Sequence, residues 1–194
     1  EASPDLVGKV TLVQVAVPTR STVPEYMAYE EEVVSLASEL NGRFGRHDWM
    51  PIRLVRENLD QSHLAAYYRA ADICIVSPLQ DGMNLVAKEF IACQEGRFGV
   101  LVLSRFAGAA REMKEALLIN PYDIGATAEA MRRAIRMPVQ ERERRLQQEL
   151  RFARQASGPG REQPSATRPG SQQLRLPRSW RRYERSWSQL LRKE

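Results

Sequence analysis

Apolar positions along this chain gather into short unbroken runs, separated by longer segments with helical spacing. KVTLVQVAVP (9–18) is a β-branched run closed by Pro18 and reads as a buried strand. In VPEYMAYEEEVVSLASELNGRFG, Val33, Leu36, Ala37 and Leu40 share one helical face, Pro24 suits a first turn, and Asn41-Gly42 is expected to end the helix. WMPIRLVRE (49–57) predicts a second strand with Pro51 near its start, and LDQSHLAAYYRAA a helix opened by Asp60. DICIVSP predicts a third strand, NLVAKEFIACQE a helix, and GVLVLSRF (99–106) a fourth strand that is almost wholly apolar. AGAAREMKEA reads as a short helix, and LLINP (117–121) as a fifth strand stopped by proline. IGATAEAMRRAIRM and QERERRLQQELRFARQ follow as two helices parted at Pro138. The strands are apolar throughout rather than alternating in and out, and helical sequence separates them. That pattern predicts an α/β fold: a Rossmann-like parallel sheet with helices on both faces.

The pattern stops after Gln155. ASGPGREQPSATRPGSQQ has almost no core-forming residues and is expected to be a disordered linker, over 157–175. LPRSWRRYERSWSQLLRKE then spaces Trp180, Tyr183, Trp187, Leu190 and Leu191 as an amphipathic helix would, either docking on the body or binding a surface, within a basic tail over 176–194. The reading is therefore one Rossmann-like domain over 1–156, a linker and a tail. Charge divides along the same line. Of the 29 Lys and Arg residues, 11 fall in 151–194 against 3 Glu, so the chain's net +5 belongs to the tail and the body is nearly neutral. Nucleic-acid binding would rest on the tail alone. The two cysteines, Cys74 and Cys93, lie in apolar runs with no metal-ligand spacing, so they are expected to be reduced and buried, with no metal and no cofactor. No apolar run approaches the roughly 20 residues of a membrane span. The opening EASPDLVGKV lacks the pattern of a signal peptide, and a cytoplasmic location is expected.

The candidate chemistry sits in SPLQDGMNLVAKEF (77–90), between the third strand and the next helix. Open parallel sheets bind ligands beyond the carboxyl ends of their strands. A helix starting there presents unpaired N–H groups and a positive dipole end to an anion. Gly82 is expected to allow a sharp turn or a close approach to a ligand. Asp81 and Asn84 suit hydroxyl groups, and Glu89, a turn beyond Leu85 on the same face, can accept from vicinal hydroxyls. Together these suit a nucleotide sugar. The same residues also make an ordinary turn and N-cap, and the residue types alone do not choose between the two.

SPLQDGMNLVAKEF, together with VPTRSTVPEY, LNGRFG, LVLSRFAGAA and LINPYD, resembles the trehalose-6-phosphate synthase family, retaining glucosyltransferases of the GT-B architecture. The resemblance runs in order from about residue 9 to about residue 150 and covers the C-terminal, donor-binding domain of that family. It implies transfer of glucose from UDP-glucose, or from GDP- or ADP-glucose, to glucose 6-phosphate. Carried over by position, it makes Asp81 the candidate catalytic residue, bonded to the glucose hydroxyls, with Gly82, Met83 and Asn84 lining the same sugar. Leu85 and Val86 present N–H groups to the diphosphate, Ala87 and Lys88 complete the donor-binding run, and Glu89 holds the ribose. Leu59 matches a nucleobase contact, and Arg20 an arginine that reaches the acceptor phosphate. The family reaction needs no catalytic metal: the leaving diphosphate takes the acceptor's proton on the same face of the sugar.

Two departures set limits on the resemblance. Gln80 stands where the family carries an arginine. The family's N-terminal domain, with most of the acceptor site, has no counterpart here, so the polypeptide alone is expected to be inactive. The alternatives left open are a glucosylglycerol-phosphate or pseudo-glycosyl transferase on the same fold, and a non-catalytic sugar-nucleotide-binding remnant or regulatory subunit. A homo-oligomer, or a subunit of a synthase complex, is the expected assembly. Membrane and nucleic acid are not expected partners.

Overall fold

The computed structural model describes residues 3–16, 24–94 and 96–155, the last four as backbone only. Arg20, the expected linker and the expected tail helix lie outside them. The chain falls into two compact units, Glu1–Leu59 and Asp60–Glu194.

In the first unit, strand β1 (Leu12–Val15) pairs in parallel with β2 (Ile52–Val55), Leu12 opposite Ile52 and Val15 opposite Val55. Helix α1 (Pro24–Phe44) crosses between them and starts at the proline, as the sequence predicts. It does not stop at Asn41-Gly42. The Asn41 side chain behaves like a strand neighbour of Ile52, accepting from its N–H at 2.9 Å and donating to its carbonyl at 2.8 Å. Asn41 is thus spent on tertiary pairing, and the helix runs on to Phe44. At Gly45, just beyond, a Cβ would stand 2.3 Å from the Asn41 carbonyl oxygen, so only glycine fits. Trp49 is half-buried and donates through Nε1 to Thr11 Oγ1 at 3.1 Å.

The second unit begins with α2 (Gln61–Ala70), capped by Asp60, whose side chain accepts from the His63 N–H at 2.9 Å. His63 itself is exposed and paired with Asp60, and His47 is exposed. Strands β3 (Ile73–Val76), β4 (Val100–Ser104) and β5 (Leu117–Ile119) form a parallel sheet in that order. Helix α3 (Leu85–Cys93) joins β3 to β4, and α4 (Ile124–Arg136) and α5 (Val139–Gln155) follow β5.

Every residue of β4 is buried, and its alternation assigns the faces. Leu101 and Leu103 pack with Phe90 and Ile91 of α3, Met113, and Leu146 of α5. Val100 and Val102 pack with Leu117, Ile119, and Ala134 of α4. Helices cover both faces, the reason the strand reads as an unbroken apolar run. Phe90 has no exposed surface. Burial of that kind contributes about 1.5–3 kcal/mol per large side chain.

AGAAREMKEA, expected as a helix, forms only a 3-10 turn, Gly108–Arg111. Its alanines are buried against the core instead of spaced along a helical face: Ala107, Ala109 and Ala110 are all nearly inaccessible. The break at Pro138 is sealed by Arg142 of α5, which donates to the carbonyls of Ala134, Ile135 and Met137 at 2.9–3.1 Å. These are the carbonyls a helix end leaves without partners. On the same helix Glu149 is buried, and Oε1 accepts from the Glu115 N–H at 2.7 Å. No helix among the described residues is long and apolar enough to cross a membrane.

Candidate functional site

β3 ends at Val76, and the chain crosses the carboxyl edge of the sheet before α3 starts at Leu85. Asp81 organises that crossing. Its Oδ1 accepts from the N–H groups of Met83 and Asn84, each at 3.0 Å, and its Oδ2 accepts from Asn84 Nδ2 at 3.0 Å. Asn84 in turn caps α3, its Oδ1 accepting from the Ala87 N–H at 2.9 Å. Among the described residues Asn84 alone, glycines aside, has a positive φ, 68°. Asparagine tolerates that conformation better than most L-residues. The sharp turn expected at Gly82 is therefore made at Asn84. Gly82 has no positive φ, and a Cβ built on it meets nothing within 4 Å. The face above Gly82 is open, so any ligand there can approach the backbone closely.

A second loop holds the first from below. The Asp81 N–H donates to the Phe106 carbonyl at 3.3 Å, the Gly108 N–H to the Asp81 carbonyl at 2.9 Å, and the Ala109 N–H to the Met83 carbonyl at 2.7 Å. The approach is so close that a Cβ on Gly108 would stand 2.1 Å from the Gly82 carbonyl oxygen. The loops after β3 and β4 are thus one hydrogen-bonded ribbon. Nothing in the residue types of FAGAA assigns it a part in the site. The signal lies in the pattern: a single glycine among small residues, directly after an all-apolar strand, marks a place where two backbones meet.

Along α3 the expected site residues divide by face. Leu85 is half-buried and Val86 is exposed, and no described residue accepts from either N–H. Ala87 has no exposed surface, and Lys88 is buried with its ammonium 2.8 Å from Glu112. Met83 is exposed. Glu89 is half-buried and accepts at Oε2 from the Tyr68 hydroxyl at 3.1 Å. Leu59 is half-buried and closes the first unit.

The two carboxylates near the helix start differ electrically. The N–H of Met83, with further help from Asn84, holds Asp81 below its ordinary value despite some burial. Burial pushes Glu89 above its ordinary value, and the Tyr68 hydroxyl partly opposes the shift. Burial also pushes the thiols of Cys74 and Cys93 up to about 12, so neither is a ready nucleophile. Among the described residues no cluster of three or more His, Cys, Asp or Glu side chains is placed to hold a metal ion.

The site thus sets a charged acceptor, Asp81, beside two unclaimed N–H donors at a helix start. A simple anion site would gain nothing from Asp81. A ligand carrying both hydroxyls and phosphate uses both features.

A family model described as glycosyltransferase family 20 matches residues 1–156. A Sinorhizobium fredii protein named trehalose-6-phosphate synthase is 49% identical over 145 residues, covering 74% of this chain and 31% of that protein. Among solved structures, a Burkholderia xenovorans α,α-trehalose-phosphate synthase (UDP-forming) in complex with glucose 6-phosphate superposes with a TM-score of 0.77 at 42% identity, covering 79% of this chain and 34% of the other. An Escherichia coli structure bound with UDP-2-fluoro glucose gives a TM-score of 0.74 at 40% identity, covering 76% and 33% respectively. The chain spans about a third of the length of these relatives.

Proposed function

The chain belongs to glycosyltransferase family 20, and from that premise we propose that it is the donor-binding part of an α,α-trehalose-phosphate synthase. In this reading it serves transfer of glucose from UDP-glucose to glucose 6-phosphate with retention at the anomeric carbon. Asp81 bonds the glucose hydroxyls, and Gly82, Met83 and Asn84 line the same sugar. The free N–H groups of Leu85 and Val86 receive the diphosphate, and Glu89 receives the ribose. Leu59 meets the nucleobase, and Arg20 the acceptor phosphate. Ala87 and Lys88 act from beneath, since Ala87 is buried and Lys88 is held by Glu112. Residues 1–156 act as one donor-binding domain. A cytoplasmic location belongs to the same reading and is supported by the two free cysteines.

The observation that carries the proposal is the pairing of an ionised, loop-bound Asp81 with two N–H groups that no described residue claims. The relatives point the same way: one is a UDP-forming synthase, another is bound with UDP-2-fluoro glucose. In the reaction the protein places both sugars and stabilises negative charge on the departing diphosphate. One oxyanion-type donor of this kind is worth about 10²–10³ in rate.

Calorimetric titration of this chain with UDP-glucose and GDP-glucose tests the proposal. Saturable UDP-glucose binding is expected, weakened roughly 30-fold or more in Asp81→Ala. A folded chain that takes up neither ligand at millimolar concentration would remove the proposal.

A further inference from the structure

Glu89 is an expected donor contact whose carboxylate is already engaged by a side chain from another helix. Its partner, Tyr68, sits on α2, a helix to which the sequence reading gave no part in the site. Tyr68 is 8% exposed and stacks edge-on against Phe90, ring centroids 6.4 Å apart. Its backbone is fixed as well. Gln94, with no exposed surface, donates through Nε2 to the Tyr68 carbonyl and accepts from the Gly99 N–H at 3.0 Å. Gly99 leaves no slack in this clamp, since a Cβ there would stand 2.6 Å from the Phe90 ring and 2.7 Å from the Gln94 amide. A buried tyrosine hydroxyl requires a partner, and this clamp aims it at Glu89 Oε2, 3.1 Å away.

The geometry points to Tyr68 as the positioning residue for Glu89: it occupies one carboxylate oxygen and fixes the side chain so that the other faces the hydroxyls of a bound ribose. The inference rests on the reading of Glu89 as the ribose acceptor and adds a residue from a different helix to that subsite. A carboxylate already held at one oxygen loses little rotamer freedom when the ligand arrives at the other, so the hydroxyls are recognised at lower entropic cost. The hydroxyl also favours the charged carboxylate over its neutral form, which donates rather than accepts from one oxygen. The other titratable groups near this pair are Cys93 on α3, Cys74 on β3 and Arg69 on α2.

The test is Tyr68→Phe in the full chain, a change that keeps the ring stacked on Phe90 and removes only the hydroxyl. Two ligands are titrated against parent and variant: UDP and 2′,3′-dideoxy-UDP. The parent is expected to prefer UDP by roughly tenfold or more, and the variant to lose most of that preference while binding the dideoxy ligand unchanged. A variant that keeps the parent's preference, or loses affinity for both ligands equally, overturns the role given to Tyr68 and leaves the donor-site reading standing. A parent that binds UDP but does not discriminate, or does not bind it, removes Glu89 as ribose acceptor, and the inference falls with it. A ligand-free readout runs alongside: the Glu89 carboxyl, followed by ¹³C NMR, should titrate at higher pH in Tyr68→Phe. An unchanged midpoint overturns the inference whatever the ligands do.

Discussion

Asp81 and Glu149 are held by the same device and behave in opposite ways. Each carboxylate accepts from backbone N–H groups, those of Met83 and Asn84 for the first and that of Glu115 for the second. Asp81 stands half-exposed at the sheet's edge and is held below its ordinary value. Glu149, on α5, is 5% exposed, and burial raises it to about 7 in spite of the same kind of bonds. Hydrogen bonds to a carboxylate favour its charge, and loss of water opposes it; how much water remains decides the balance. The loop keeps a permanent charge to offer a ligand. The core keeps a carboxyl that titrates near neutrality and helps seat a helix.

The largest expected effect comes from removing the titration in the core. Glu149 binds its proton more tightly in the folded chain, so its contribution to stability is complete below about pH 4.5 and is lost as pH climbs through about 7. Full expression of that shift is worth about 3 kcal/mol. Urea unfolding between pH 5 and 8 should therefore show a decline in the parent that Glu149→Gln largely flattens. A parent with no decline would mean that α5 gives the carboxyl more water than its burial implies.

Next comes the loop's support. Gly108→Ala forces a methyl group onto the Gly82 carbonyl, and overpacking of this kind costs about 1–3 kcal/mol. The urea midpoint should fall and the amide resonances of Met83 and Asn84 should move. Gly82→Ala is the matched control: with open space above it, stability should stay within about 0.5 kcal/mol of the parent. Equal losses in the two variants would refute the contact between the loops.

Asn84→Ala removes the cap of α3 and sets alanine in a left-handed conformation, at a cost of about 1 kcal/mol, whereas Asn84→Gly should lose only a few tenths. Thermal melts of the two variants separate the cap from the conformation. The smallest effect belongs to Asp81 itself. Its stabilising charge is present above its ordinary 3.8 and is lost as pH falls through the lower folded value. Asp81→Asn should therefore be less stable than the parent above about pH 4, with the difference closing in acid unfolding as pH falls below it.

Much of this is legible in the amino-acid sequence. Apolar runs gave all five strands within a few residues, because strands buried on both faces cannot hide their composition. Asp60, Pro24 and the break at Pro138 marked helix ends through local chemistry that needs no tertiary partner. Asn41-Gly42 misled, since the use of the Asn41 side chain is decided by Ile52, 11 residues away. AGAAREMKEA misled for a related reason: small residues that favour a helix also permit the tight approach of two loops. Within the site, Asp81 and Asn84 stand out by residue type and by their place between a strand and a helix. Phe106–Ala109, Tyr68 and Gln94 do not, because each acts through contacts 21 or more residues away along the chain.

The contact between Gly108 and Gly82 sets terms for anyone who would redesign the specificity of this protein. A library that randomises residues 80–84 to admit a different ligand keeps a fixed cradle beneath them, and most of its members will be loops the cradle rejects. Residues 106–109 form the other half of the same part, although more than 20 positions of sequence separate the two. Randomised together, they offer a designer new loop shapes; randomised apart, they mostly return the original one.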